Sequence, residues 1–239
     1  MKKEKLSNII KKYHLNNTID SVKWVMGNDK AIDINFVTPD RTLVGSLRGT
    51  NVDIEESELG IYTTAQLLKL ISVFGDDIKF SMLKIDEVAR TLNMTDKESS
   101  VTYMLSDLSV IPVAGKPKQL PEFEFEMEIT DDFISKFNKA KSALPDISHV
   151  TFNCTDSKQE LIIGYSSNNT TRVTVPISGK TNGDVKYKSF NSNYLKEILM
   201  ANSDAEKATL KVSNAGLMLL EYTGAEFSST YYLVEVNHV

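Results

Sequence analysis

The side chains best suited to metal or nucleophilic chemistry in this chain are three histidines, His14, His149 and His238, and a single cysteine, Cys154. They lie far apart, match no metal-ligand spacing, and leave Cys154 without a disulfide partner or a recognisable nucleophile context. Gly179-Lys180-Thr181 resembles the end of a phosphate-binding loop, but that pattern requires glycine at position 174, where Thr174 stands, and no helical pattern follows. Glu122, Glu124, Glu126 and Glu128 alternate, which crowds four like charges onto one strand face and suits solvent better than a metal ion. Asp76-Asp77 and Asp131-Asp132 read as turn and helix-start residues before they read as catalytic pairs. No enzymatic activity, metal or cofactor is expected.

Lysine is the remaining residue type with a chemical use, the neutralisation of phosphates. The chain carries 27 basic and 32 acidic residues, a formal net charge of -5, which by itself argues against a nucleic-acid partner. The distribution argues otherwise. Four stretches read as helices, residues 1–14, 64–74, 131–142 and 191–200, and they hold ten lysines against four acidic residues. They carry +6, and the other 17 basic and 28 acidic residues leave -11 on everything else. At 3.6 residues per turn, Lys11 and Lys12 sit away from the Leu6/Ile9/Ile10/Tyr13 stripe, Lys69 opposite Leu67/Ile71/Phe74, Lys139 opposite Phe137/Leu144 and Lys196 opposite Tyr194/Ile198. Each helix is expected to turn lysine outward. Lysine is also a good solvated helix former, so a solvation role stays open.

The elements that position these helices repeat. The first half reads helix, strands at 21–26, 31–38, 42–47 and 52–62, a helix at 64–74, then strands near 77–83, 87–93 and 99–105. Pro112, Gly115, Pro117 and Pro121 mark a connector at 111–121. After a strand at 122–129 with a period of two, the second half runs through a helix capped by Asp131 or Asp132 and strands near 150–153, 160–165, 172–177 and 185–190. A helix capped by Asn191 and strands near 208–212, 216–222 and 230–236 complete it. We expect an α+β chain of two similar domains, 1–110 and 122–239, each with two helices packed on antiparallel sheets.

A length of 239 residues fits one large domain or two smaller ones, and 41% hydrophobic with 25% charged residues is ordinary for a folded chain. The longest apolar runs are four or five residues, far short of the roughly 20 a membrane span needs. With one cysteine and no apolar stretch of signal-peptide length near Met1, a cytoplasmic location is expected.

This duplicated arrangement resembles the DNA polymerase sliding clamps, the family of proliferating-cell nuclear antigen. Ile61-Tyr62 followed by Leu67-Leu68-Lys69-Leu70-Ile71-Ser72-Val73-Phe74-Gly75-Asp76-Asp77 is similar to the same helix in clamps of T-even-type bacteriophages. Phe190-Asn191-Ser192-Asn193-Tyr194-Leu195, Gly216-Leu217-Met218-Leu219-Leu220-Glu221-Tyr222 and Tyr231-Tyr232-Leu233 resemble the last helix and last two strands of clamps generally.

The resemblance implies the DNA clamp fold and a homotrimeric ring around double-stranded DNA, in the cytoplasm of an infected bacterium if the phage likeness holds. Lys5, Lys11, Lys12, Lys69, Lys136, Lys139 and Lys196 would then line the hole and touch phosphates of any sequence. Edge strands would pair between subunits, one at 99–105 with Val101, Tyr103 and Leu105, the other at 170–175 with Arg172 and Thr174. The alternative that Val101, Tyr103 and Leu105 are ordinary core residues is equally open. DNA polymerase and clamp loader would insert a hydrophobic peptide against Leu43, Val44, Leu47, Leu217, Tyr232 and Leu233, any of which could instead be core. A non-ring, protein-binding adaptor built from duplicated β-rich domains is the competing reading.

Overall fold

The computed structural model describes residues 1–115, 119–168 and 171–236. His238, Asn169, Thr170 and the middle of the connector, Lys116 to Lys118, lie outside the described residues.

The chain forms two compact units, one of Met1–Pro39, Val44–Gly115 and Glu226–Ser229, the other of Asp40–Leu43, Lys116–Ala225 and Thr230–Val239. Unit 1 contains α1 (Lys3–His14), β1 (Val22–Met26), β2 (Ile32–Val37), most of β3 (Leu43–Gly49), β4 (Ser57–Ile61), α2 (Thr64–Ser72), β5 (Lys79–Ile85), β6 (Val88–Thr95) and β7 (Ser100–Met104). Its antiparallel strands follow the orders β4-β1-β2-β3 and β5-β6-β7.

Unit 2 contains β8 (Phe125–Glu128), α3 (Asp131–Ala143), β9 (His149–Thr155), β10 (Lys158–Ile163), β11 (Val173–Pro176), β12 (Lys180–Thr181), β13 (Val185–Asn191), α4 (Ser192–Ala201), β14 (Lys207–Ser213), β15 (Leu217–Thr223) and most of β16 (Phe227–Val234). Its orders are β13-β9-β10-β11 and β12-β8-β14-β15-β16. The run β14-β15-β16 repeats β5-β6-β7, and the four-stranded order of one unit repeats that of the other, so the expected duplication and α+β class are present.

Each helix forms because its apolar stripe is buried. Leu6, Ile9, Ile10 and Tyr13 of α1, and Phe133, Phe137 and Ala140 of α3, are all core residues. Within each unit the two helices pack side by side, α1 on α2 and α3 on α4. In unit 1 a buried hydrogen-bond chain fixes the helix pair to the sheet. The Trp24 indole donates to the Tyr13 hydroxyl at 3.2 Å, and Thr64 Oγ1, 3.3 Å from that hydroxyl, donates to Asp20 O at 2.7 Å. With the Thr64 proton committed to Asp20 O, Tyr13 donates to Thr64.

Three local expectations are corrected. The α3 N-cap is Thr130, whose hydroxyl accepts from Phe133 N at 3.2 Å, and Asp131 and Asp132 sit inside the first turn, where carboxylates favour the helix dipole. Strand β4 begins at Ser57; residues 52–56 are irregular, although Val52 and Ile54 are buried. Strand β8 is limited to Phe125–Glu128. Asn191 caps α4 as expected, its Oδ1 accepting from Asn193 N and Tyr194 N.

Candidate nucleic-acid interface

The seven lysines expected to meet phosphate separate into two groups. Lys5 Nζ lies 2.7 Å from Glu226, which also accepts from Asn51 Nδ2 at 2.9 Å; these two bonds hold the Glu226 carboxyl below its ordinary range. Lys136 pairs with Asp132 at 2.6 Å, one helical turn away. Lys12 does not face outward: it is 2% exposed, and its Nζ stands 3.9 Å from the centroid of the Phe227 ring, a cation–π contact. Counting about 100° per residue, Lys11 is roughly 150° from the centre of the α1 stripe and Lys12 only about 110°, near enough for Phe227 to cover it.

The second group is Lys11, Lys69, Lys139 and Lys196. Lys11, Lys69 and Lys139 are exposed and Lys196 half-buried. Among the described residues none of the four has a carboxylate within 4.0 Å. They fall one on each helix: Lys11 on α1, Lys69 on α2, Lys139 on α3 and Lys196 on α4. Charge that is unpaired and exposed can exchange water for phosphate oxygen without first breaking an ion pair.

Other helix lysines have structural work. Lys3 Nζ donates to Phe74 O at 2.7 Å, and Lys141, buried, donates to Pro145 O and Ile147 O at 2.7 and 2.8 Å. Burial, and secondarily the charge of Lys196, lowers the Lys141 pKa. The sequence reading counted Lys141 in the basic sum and missed this role; the signal lay in its place at the helix end, where carbonyls lack partners.

The expected edges divide similarly. β7 ends the order β5-β6-β7 and β11 ends β13-β9-β10-β11, so each leaves an edge unpaired among the described residues. Val101 and Leu105 are half-buried, and Arg172 and Thr174 are exposed. Tyr103 is buried, its hydroxyl 3.2 Å from both the N–H and the carbonyl of Thr63 at the start of α2. Of the residues expected to meet a partner peptide, Leu43, Leu47 and Leu233 are buried core side chains, whereas Val44, Leu217 and Tyr232 are half-buried.

The remaining chemical candidates are not brought together. His14 is buried, its Nδ1 2.6 Å from Ile19 O, and His149 Nε2 lies 3.1 Å from Tyr165 O. Cys154 is buried, and burial pushes its thiol up to about 12. Among the described residues no group of three or more His, Cys, Asp or Glu is placed to hold a metal ion, and no helix is long and apolar enough to cross a membrane.

No protein-family model matches the chain, and no curated protein matches it. Solved structures do. The proliferating cellular nuclear antigen of Entamoeba histolytica is similar with a TM-score of 0.74 at 18% identity, over 99% of this chain and 97% of that one. A. fulgidus PCNA bound to the C-terminal region of FEN-1 gives 0.75 at 16% identity, over 100% and 98%. The PCNA2–PCNA3 complex of Sulfolobus tokodaii gives 0.71 at 14% identity, over 98% and 97%. With its helix pairs, antiparallel sheets and near-complete coverage by these structures, the chain has the PCNA clamp fold.

Proposed function

We propose that this chain is a sliding clamp, a homotrimeric ring that encircles duplex DNA and tethers a replicative DNA polymerase. The observation that carries the reading is the placement of one exposed or half-exposed, unpaired lysine on each of the four helices of a duplicated clamp fold whose remaining surface is acidic. Lys11, Lys69, Lys139 and Lys196 supply the main phosphate contacts. Lys5 and Lys136 contribute only when they leave their carboxylates, and Lys12 acts from beneath the surface.

Such a ring needs no bond chemistry. A cationic lining attracts phosphates of any sequence, and a small displacement along the duplex exchanges one contact for an equivalent one. Retention then comes from topology, while acidic outer strands repel stray DNA. Head-to-tail pairing of the β7 edge with the β11 edge of the next subunit closes the ring by rotation. Val101 and Leu105 meet Arg172 and Thr174 there, and Tyr103 positions β7 from within.

Polymerase and clamp loader dock through short hydrophobic peptides. Val44, Leu217 and Tyr232 make direct contact, and Leu43, Leu47 and Leu233 support them from the core. The A. fulgidus clamp, solved with the C-terminal region of FEN-1 bound, supports this mode. The similarity of residues 61–77 to phage clamps supports our reading of the chain as a clamp of the T-even-type branch, acting in the cytoplasm of an infected bacterium.

The test is retention on DNA. Loaded onto a closed circle with a clamp loader of the same system, the protein should remain bound through high salt and fall off once the circle is cut. Its native mass should be close to three times 26.7 kDa. A concentration-independent monomer, or release from the intact circle as fast as from the cut one, would refute the ring and favour the adaptor.

A further inference from the structure

The two units treat equivalent sheet edges differently. In unit 2 the outer side of β14 is covered by β8, which pairs from Thr209↔Glu128 through Val212↔Phe125. The corresponding strand of unit 1, the one that follows the second helix, is β5. Among the described residues, Met1 and Lys2 lie beside its start. Lys2 bridges to Asp77, the Met1 ammonium donates to Ile78 O at 2.8 Å, and the Lys2 ammonium lies 2.9 Å from the Asp77 carboxylate. This contact ends one residue before β5 begins. Among the described residues nothing pairs with the outer side of Lys79–Ile85, where alternate residues of this seven-residue strand present their backbone donors and acceptors.

An open edge of this length is a template for another strand. Its side chains define what fits. Leu83 and Ile85 are each 52% exposed on one face, Phe80 and Met82 are half-buried on the other, and Lys79 is exposed with no carboxylate within 4.0 Å among the described residues.

We infer that the β5 edge is a docking site for an extended segment of a partner protein, added as a strand as β8 is added to β14. The segment carries apolar residues beside Phe80, Met82, Leu83 and Ile85 and a carboxylate beside Lys79. β8 illustrates that chemistry within this chain: buried Phe125 and Met127 alternate with exposed Glu126 and Glu128, and Glu126 lies 4.0 Å from Lys211 on β14. Backbone hydrogen bonds supply affinity and the alternating side chains supply selectivity. Asp86 and Glu87 at the tip of the β5–β6 turn disfavour a nucleic acid at the same edge. The inference is independent of the clamp reading, because it rests only on the two units' strands.

The test uses the full chain and a synthetic peptide with the sequence of residues 122–129, read by amide hydrogen exchange and titration. Binding should protect amides of Lys79–Ile85. Lys79→Glu should weaken binding about two- to fivefold, the range of an exposed charge pair, and Leu83→Glu should weaken it further with the melting temperature unchanged. The inference is overturned by no binding at millimolar peptide, by protection confined to Lys207–Ser213, which would mean that the peptide displaces β8, or by equal binding to both variants. β5 protection that rises with protein concentration in the absence of peptide would overturn it in favour of a second copy of this chain.

Discussion

Unit 1 and unit 2 stop their first helix with different side chains doing the same work. In unit 1, α1 ends in three left-handed residues, Leu15, Asn16 and Asn17, and buried His14 lies against Ile19 O, so its Nδ1 carries the donated proton. In unit 2, α3 is followed by a loop held by buried Lys141, which donates to Pro145 O and Ile147 O. Both devices put a basic side chain at the negative end of the helix dipole and pin the loop that leads into the next strand. In both units a side-chain donor fills this place, His14 in one and Lys141 in the other, so the two halves meet the same need with different residues.

The largest expected effect breaks this device. Lys141→Met keeps the aliphatic stem but leaves two carbonyls without their donor, and should cost about 1–3 kcal/mol in denaturant unfolding. Restoration by Lys141→Arg would sharpen the claim that a donor is required; no loss in the Met variant would break the comparison.

A smaller contrast concerns buried tyrosines. Tyr13 is bonded to Thr64 and Trp24, whereas the Tyr222 hydroxyl has no hydrogen-bond partner among the described residues. Tyr13→Phe should destabilise by about 1 kcal/mol. Tyr222→Phe, which removes an unsatisfied buried group, should leave stability unchanged or raise it. Equal losses in the two variants would show that Tyr222 has a partner after all.

The smallest effect is in acid. Asp77, Asp96 and Glu226, all in unit 1, are held below their ordinary pKa, Asp77 by Lys2, Asp96 by the backbone N–H groups of Gly75, Glu98 and Ser99, and Glu226 by Lys5 and Asn51. A carboxyl with a depressed folded pKa stabilises fully above its unfolded value, about 4 to 4.5, and loses that contribution as pH falls through the folded value. Hydrogen exchange between pH 5 and 2.5 should therefore show the amides around Gly75 and Thr50 opening before those of β14 and β15. The reverse order would contradict the assignment.

Much of this was legible in the sequence, and the failures have definite causes. Helix periodicity located the four α-helices of the described residues because an apolar stripe such as Leu6, Ile9, Ile10 and Tyr13 has one way to be buried. Asn191 was readable as a cap because its acceptor lies next to the helix it serves. Thr130 was passed over for the neighbouring aspartates because capping depends on which oxygen reaches an N–H, and charge does not decide that. The surroundings of Lys5 and Lys12 were not legible for a different reason: their partners, Glu226 and Phe227, are more than 200 residues away, and local periodicity contains no information about them. Leu43, Leu47 and Leu233 were matched to a family position, yet position in a strand does not fix how deep a side chain lies.

The orientation of the four unpaired lysines can be measured directly. Cys154 is buried with its thiol raised to about 12, so single cysteines at Lys11, Lys69, Lys139 and Lys196 can be labelled selectively with a photo-crosslinker, with Lys186 on β13 as the control. After loading onto circular DNA, crosslinking to the duplex from all four helix positions and not from position 186 is the expected result. Equal crosslinking from position 186, or none from the helices, would contradict a DNA-facing helix surface.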